Sequence, residues 1–168
     1  MNSWRLLILT TTLTLFARPL CAQSATEMLR IEVQVKSSQD RKDIKGTSTD
    51  TVTQNKTLNI SVIGKAKNPE TRIGKWMVYG RDLKTHAITM LGSDEFKLDI
   101  PIKGEQKVES KNITTTSTPE HTEVSGTGKR MKYKKIEAEG TKYLGFGVQI
   151  TDGEKLVSEY FDPKFLKK

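Results

Sequence analysis

Apolar and polar residues alternate with a period of two along residues 29–36, 57–63 and 96–102. Such alternation is typical of a β-strand that buries one face and exposes the other. The polar stretch between the first two, residues 37–55, is predicted to be a long loop or an exposed strand. No window shows the 3.6-residue apolar stripe of an amphipathic helix. The residues predicted to point into a core are Leu29, Ile31, Val33, Val35, Leu58, Ile60, Val62, Phe96, Leu98, Ile100 and Ile102.

Residues 75–79 and 87–91 predict a hairpin with a polar connection. Alternation along the first of these strands places Trp76 and Tyr79 on opposite faces. Trp76 is predicted to anchor the core between two sheets, because a large aromatic ring contributes more buried area than any other side chain. A sugar-binding platform formed by Tyr79 and Met77 is the less favoured alternative.

Residues 142–163 predict a second hairpin with Asp152 and Gly153 as its two-residue turn. Asp-Gly is a strong hairpin signal, because both turn positions need a positive φ and these residues tolerate it. On this register Phe161 would lie in the core. The predicted cross-strand pairs are Val148 with Val157, Leu144 with Phe161, and Gly145 with Tyr160, whose ring would cover the glycine.

Seven to eight short strands separated by turn signals predict an all-β fold of the antiparallel β-sandwich type. The chain has room for one such domain, predicted over residues 23–168. Within the 96–102 stretch, Pro101 cannot donate a ladder hydrogen bond, which places that strand at an edge of a sheet or at its end.

The sequence Gly140-Thr141-Lys142-Tyr143, followed by Gly147-Val148, is similar to the Gly-Thr-x-Tyr-x-x-x-Val strand of bacterial Ig-like and fibronectin type III-like domains. Residues 58–109 are also similar to exported single-sandwich domains in which a strand like Asn-Ile-Ser-Val leads into a strand containing Trp or Tyr. The resemblance implies an Ig-like sandwich with a tyrosine corner at Tyr143. Such domains serve adhesion, scaffolding or binding, although fold alone does not fix function.

The first 22 residues have the order of a secretory signal peptide. A basic head with Arg5 precedes an apolar run at residues 6–16, and the predicted cut follows Ala22, with Ser24 or Ala25 as alternatives. The run is shorter than the ~18 residues that span a bilayer, so a cleaved leader is favoured over an anchor. The sequence therefore predicts export to the periplasm or the cell exterior, with no transmembrane segment after cleavage.

The cysteine content and the net charge exclude some classes of function and favour others. Cys21 is the only cysteine and would leave with the leader, which excludes disulfides, thiol catalysis and cysteine-based zinc sites. The chain carries a formal charge of +8; residues 1–22 hold two of its 28 basic residues and none of its 20 acidic ones, so the remainder carries +6. A basic exported protein is attracted to anionic surfaces such as lipopolysaccharide, teichoic acids or acidic glycans. No specific nucleic-acid partner is expected.

Residues suited to catalysis or metal binding are few. His86 and His121 are the only histidines, so a multi-histidine metal site cannot form within one chain. Glu120 and Glu123 lie close to His121, but a solvated loop is favoured over an acid–base or metal site. No nucleophile elbow surrounds a serine, and no calcium loop is present in the sequence. We therefore predict no catalytic residue, no metal site and no cofactor.

Residues 111–135 differ in composition from the rest of the chain. A Thr- and Ser-rich run leads to Gly126 and Gly128, which are predicted to mark a flexible tip between two strand-forming stretches, and a basic run follows. This segment is predicted to form a protruding hairpin or a partly mobile loop. Loops that leave a rigid scaffold often carry function, so binding is expected here.

The basic run is the candidate binding site for an anionic partner. In an extended strand Arg130, Lys132 and Lys134 would point one way, with Met131 and Tyr133 on the other side. The row of cations could follow a polyanion, whereas an edge strand protected by lysines against aggregation is the favoured alternative. The candidate residues are Lys129, Arg130, Lys132, Lys134 and Lys135.

Together these features predict a non-enzymatic binding or structural module of the bacterial cell envelope. An envelope protein or an anionic glycan is the expected partner. The first alternative is a carbohydrate- or polyanion-binding domain that uses residues 129–135. The second alternative is a hydrolase built on a sandwich scaffold.

Overall fold

The computed structural model describes residues 29–45, 47, 49–64, 71–99 and 104–167. The predicted leader and the predicted inward residues Ile100 and Ile102 lie outside this set, as does Pro101. No helix among the described residues has both the length and the apolar character needed to cross a bilayer.

The described chain forms ten strands and two short 3₁₀ turns, the latter at Gly128–Arg130 and Lys164–Leu166. The all-β prediction is confirmed, with more strands than the seven to eight expected. The strands are β1 Arg30–Asp43, β2 Asp50–Gly64, β3 Thr71–Asp82, β4 Ile88–Asp99, β5 Gly104–Glu109, β6 Ile113–Thr118, β7 His121–Ser125, β8 Lys132–Ile136, β9 Glu139–Asp152 and β10 Lys155–Asp162.

Eight of these strands form one antiparallel sheet that folds over itself as a sandwich. One layer contains β1, β2, β5 and β6, and the other contains β4, β3, β9 and β10. The two layers are continuous because the start of β9 pairs with the end of β6, Ser117 with Gly140 and Thr118 with Glu139. The remaining strands, β7 and β8, pair with each other as a separate two-stranded sheet.

The core lies between β2 in one layer and β3, β4 and β9 in the other. It is built from alternate residues of each strand, because successive side chains of a strand point to opposite faces. Burial of such side chains contributes about 1.5–3 kcal/mol each. The buried cluster consists of Leu58, Ile60, Val62, Trp76, Val78, Leu98, Phe146, Val148 and Ile150.

The predicted inward face of β1 is only partly covered. Leu29, Ile31 and Val33 are half-buried and pack against the core. Val35 remains 37% exposed. β1 continues to Asp43 and β2 begins at Asp50, so most of the polar stretch between the two alternating segments forms a strand pair rather than a long loop, exposed in β1 and half-buried in β2.

The prediction of two separate strands at residues 87–91 and 96–102 is wrong, because Ile88–Asp99 form one strand, β4. It pairs with β3 along its whole described length, and the register shifts where Val78 faces Gly92 and Tyr79 faces Met90. The extra residue, Leu91, packs against the core. A bulge accommodates one additional residue without ending the ladder, and this is why two apolar segments fit one strand.

The turn of the β9–β10 hairpin lies one residue later than predicted. Lys155 pairs with Asp152, so the turn residues are Gly153 and Glu154. A bulge between Leu156 and Ser158 then shifts the pairing again. The two shifts together overturn all three predicted cross-strand pairs.

Tyr160 and Phe161 exchange faces as a result. Tyr160 pairs with Val148 and points to the inner side, where its ring centroid lies 5.9 Å from that of Phe146. Phe161 pairs with Gly147 on the outer side, and a Cβ added at Gly147 would collide with the Phe161 ring. An aromatic ring does cover a glycine in this hairpin, but the ring belongs to Phe161 rather than Tyr160.

Replacing Phe161 with alanine is expected to lower the free energy of unfolding by about 2 kcal/mol, less than the 3–5 kcal/mol of a fully buried phenylalanine, because Phe161 is half-buried. Chemical denaturation followed by circular dichroism measures the change. Phe165→Ala is the matched control, since Phe165 is 56% exposed. Equal losses in the two variants would contradict the packing of Phe161 over Gly147.

Tyr143 is half-buried and packs against the core. Burial raises its pKa to about 12, with a further contribution from Asp162. The Lys56 ammonium lies 5.1 Å from the centre of its ring, within the range of a cation–π contact. Its hydroxyl makes no hydrogen bond to the backbone within the described chain, so Tyr143 contributes packing and the hydrogen bond of a tyrosine corner is absent there.

Candidate functional site: the basic hairpin arm

The basic segment belongs to a hairpin that we call the arm, residues 119–137. It leaves the sandwich after β6 at Pro119 and returns at the start of β9. Only the second part of the predicted protruding segment lies in the arm, because β6 is part of the main sheet, where it pairs with β2. Five cross-strand pairs hold β7 to β8, and among the described strands neither pairs with any other.

The tip of the arm is shaped by two glycines with positive φ. Gly126 has φ 96° and Gly128 has φ 58°, conformations that side chains with a Cβ rarely adopt. A Cβ at Gly126 would also collide with the carbonyl oxygen of Arg130. The prediction that these glycines mark the tip is therefore confirmed.

The arm separates its residues into two faces. Paired residues of an antiparallel ladder share a face, so Lys132 and Lys134 lie on one side, about 7 Å apart along the strand. Arg130 does not belong to this row, because it lies in the 3₁₀ turn before β8. Lys129 lies in the same turn. The prediction that Arg130 continues the row of strand cations is thus wrong.

Acidic residues balance the cations at the base of the arm. Lys135 lies on the other face and its ammonium is 2.9 Å from the Glu120 carboxylate, whose hydrogen bond and charge raise the pKa of Lys135. Glu137 lies 3.9 Å from Lys84 of the sandwich. Lys135 is therefore paired and is the weakest of the five candidate binding residues.

The cations toward the tip are differently placed. Arg130 and Lys132 form no ion pair with any residue that the structure describes. Lys134 pairs in register with Glu123. Between Val124 and Tyr133 the sequence contains no acidic residue. The tip therefore presents positive charge with little local compensation.

Toward the tip, the other face of the arm is apolar and open to solvent. Val124 pairs in register with Tyr133, and the Tyr133 hydroxyl donates a hydrogen bond to Met131 Sδ at 3.5 Å. The exposed fractions are 42% for Val124, 49% for Met131 and 69% for Tyr133. Sequence analysis placed Met131 and Tyr133 together but missed Val124, because only the strand register shows which residue of β7 joins them.

The polar groove outside the arm is less suited to binding. It has a volume of about 460 Å³ and crosses the outer face of β1, β2 and β5. Its charged groups satisfy one another: the Ser61 hydroxyl donates to Glu105 and lowers the pKa of that carboxyl, and Lys107 lies 3.5 Å from Glu105. Lys36 likewise lies 3.2 Å from Glu109. Each of these charged groups therefore has a partner within the protein.

The remaining candidate groups lie in the core or make contacts within their own segment. Trp76 is 3% exposed and anchors the core, as predicted. Met77, on the opposite face, is 8% exposed and accepts a hydrogen bond from the Tyr79 hydroxyl at 3.4 Å, so the alternative sugar platform is not open. His121 Nδ1 lies 3.1 Å from the Pro119 carbonyl oxygen. Within the described ranges no cluster of three or more His, Cys, Asp or Glu residues could hold a metal ion.

No model of a known protein family matches the sequence. No curated protein is similar to it. Among solved structures, a crystal structure from Akkermansia muciniphila is similar over 84% of this chain and 77% of its own, with 12% sequence identity and a TM-score of 0.34. A likeness at this level carries no argument about function, which therefore rests on the geometry of the arm.

Proposed function

We propose that this protein is a non-enzymatic binding module that attaches to an anionic component of the bacterial cell envelope through its arm. The observation that carries the proposal is the separate β7–β8 sheet, whose tip presents Arg130 and Lys132 without an ion pair among the described residues, with Lys134 next to them in register with Glu123. Charges on a projecting element reach a partner that a flat sandwich face would hold at a distance. Electrostatic attraction of this kind also accelerates encounter.

The proposal includes export and an Ig-like or fibronectin type III-like type for the sandwich. Export is supported by the order of basic, apolar and small residues in the first 22 positions. The Ig-like type is supported by the two-layer antiparallel arrangement and by the similarity of residues 58–109 to exported single-sandwich domains. The arm is then a hairpin added to a common β-sandwich scaffold. Such scaffolds usually gain a binding function through sites added to them in this way.

Heparin affinity tests the proposal. Replacing Arg130, Lys132 and Lys134 together with glutamine is expected to lower the salt concentration at which the protein elutes. The slope of log affinity against log salt should fall by about 2, because three cations no longer displace counterions. Lys97→Gln, Lys142→Gln and Lys155→Gln together make the matched control, since they remove the same charge from exposed positions of the sandwich.

The control variant should keep most of its retention on heparin. Equal losses in the two triple variants would mean that net charge alone causes retention. Unchanged retention of the arm variant would end the proposal.

A further inference from the structure

The apolar face of the arm is not explained by attraction to a polyanion. A polyanion needs only the cations, yet Val124, Met131 and Tyr133 expose 42%, 49% and 69% of their surface on a hairpin whose sheet has two strands. No other strand among the described residues pairs with this sheet or extends it. Large side chains grouped and exposed in this way usually mark a binding surface.

The shape of the arm limits the kind of partner. The three side chains stand on a projecting hairpin, next to a tip with two positive-φ glycines, and among the described residues they line neither the groove across β1, β2 and β5 nor the pocket beside Glu159 and Phe161. Apolar side chains on a projecting hairpin are removed from water when the hairpin inserts into an apolar medium. The interfacial region of a lipid bilayer is such a medium, and it accepts tyrosine well because the ring is apolar and the hydroxyl remains hydrated.

The positive charge of the arm favours anionic bilayers over neutral ones. The cations Arg130, Lys132 and Lys134 are interleaved in sequence with Met131 and Tyr133. Because alternate residues of a strand face opposite ways, Lys132 and Lys134 lie across from the apolar side chains. Their long aliphatic stems let the ammonium groups extend toward phosphates while the apolar side chains are inserted. This charge complements an anionic bilayer and gives no advantage on a neutral one.

We propose that the arm inserts Val124, Met131 and Tyr133 into the interface of an anionic lipid bilayer, while Arg130, Lys132 and Lys134 contact lipid phosphates. The inference rests on the proposed function, since it names the anionic component. It assigns the arm two separable contributions, one apolar and one electrostatic. An anionic polymer would use only the second.

Co-sedimentation with vesicles tests the inference, using the product that cells make from the full chain, with its N-terminus identified by mass spectrometry. The protein should bind vesicles of phosphatidylcholine mixed with phosphatidylglycerol and should not bind pure phosphatidylcholine. The apolar variant combines Val124→Thr, Met131→Gln and Tyr133→Ser and keeps every charge. It should lose about tenfold or more in partitioning to anionic vesicles and keep the wild-type retention on heparin.

The variant that replaces Arg130, Lys132 and Lys134 with glutamine should lose binding to both vesicles and heparin, by about 100-fold for vesicles at about fivefold per cation. Both variants should unfold at the wild-type temperature, because the arm lies outside the core. Tyr133→Trp adds a direct readout. Its emission should shift to shorter wavelength on anionic vesicles, against a constant background from the buried Trp76.

The outcomes separate the inference from the proposed function. Retention on heparin without binding to vesicles would overturn the inference and leave the proposed function in place, with an anionic polymer as partner. Vesicle binding by the apolar variant at the wild-type level would also overturn it, because insertion would then contribute nothing. Binding to neither heparin nor vesicles would overturn both.

Discussion

Replacing Trp76 with alanine is expected to lower the free energy of unfolding by about 3–5 kcal/mol. Trp76 is 3% exposed and lies in the central strand β3, where it pairs with Val148 of β9 and Asp94 of β4. A Cβ at Gly92 would lie 3.6 Å from its ring and 2.6 Å from Ile113 of β6 in the other layer, so the indole lies where the two layers meet. Truncation leaves a cavity, because the backbones of two flanking strands cannot move together to close it.

A loss of this size is a large part of the 5–15 kcal/mol that typically stabilises a domain. Urea denaturation followed by circular dichroism measures it without relying on tryptophan fluorescence. Tyr133→Ala is the matched control on the arm: Tyr133 is 69% exposed, and exposed substitutions usually change stability by no more than about 0.5 kcal/mol. Unfolding of Trp76→Ala at the wild-type urea concentration would show that Trp76 does not join the two layers.

The core could be predicted from the sequence because alternation is a local property. A strand places successive side chains on opposite faces whatever its partners are. The three apolar residues of β2 predicted to point inward, Leu58, Ile60 and Val62, are each at most 1% exposed. Val35 follows the same alternation and is 37% exposed. Pattern thus predicts which face a residue lies on, whereas the depth of burial depends on where the opposite layer ends.

Register could not be predicted in the same way. In the β9–β10 hairpin the bulge between Leu156 and Ser158 changes which face Tyr160 and Phe161 occupy. A shift of one residue moves every following side chain to the other side of the sheet. Both residues are large aromatics suited to either face, so their identity gives no sign of the shift.

The extent of the arm was also hidden in the sequence. β6 is rich in threonine and lacks an apolar alternation, yet Thr115 and Thr118 are buried. Hydroxyl pairs replace apolar contacts between β2 and β6, with oxygens 3.0 Å apart for Thr51 and Thr118 and 3.4 Å apart for Thr53 and Thr116. Such pairs stabilise neighbouring strands, but a run of threonines in a sequence is equally typical of a loop.

The charged residues of the candidate site could be predicted from the sequence, whereas its shape could be predicted only in part. The basic run between residues 129 and 135 is visible in the sequence, and Gly126 and Gly128 indicate its tip. The contribution of Val124 requires the β7–β8 register. The ion pair that makes Lys135 a weak candidate is known only from the position of Glu120 in the structure. Both features depend on contacts between residues about nine to fifteen positions apart in the chain. A local sequence pattern cannot show such contacts.

Gly140 connects the returning arm to the sandwich, and Gly140→Ala is expected to lower the free energy of unfolding by about 3–5 kcal/mol. Gly140 has φ 86°, which a residue with a Cβ adopts only under strain. A Cβ there would also collide with the carbonyl oxygen of Thr116, a backbone atom held in the β2–β6 ladder. The Gly140 carbonyl accepts a hydrogen bond from the Leu83 N–H at 2.9 Å, so a displaced backbone would lose this contact as well.

Gly153→Ala separates the two causes, because Gly153 has φ 56° but a Cβ there would meet no atom within 4 Å. It should cost only the conformational strain, about 1–2 kcal/mol. The difference between the two variants in urea denaturation then measures the collision with the β6 backbone. Equal losses would mean that β6 does not hold the start of β9. A larger loss in Gly140→Ala would show that the arm rises from a rigid junction, because the only described ladder between the layers pairs Gly140 with Ser117 and Glu139 with Thr118.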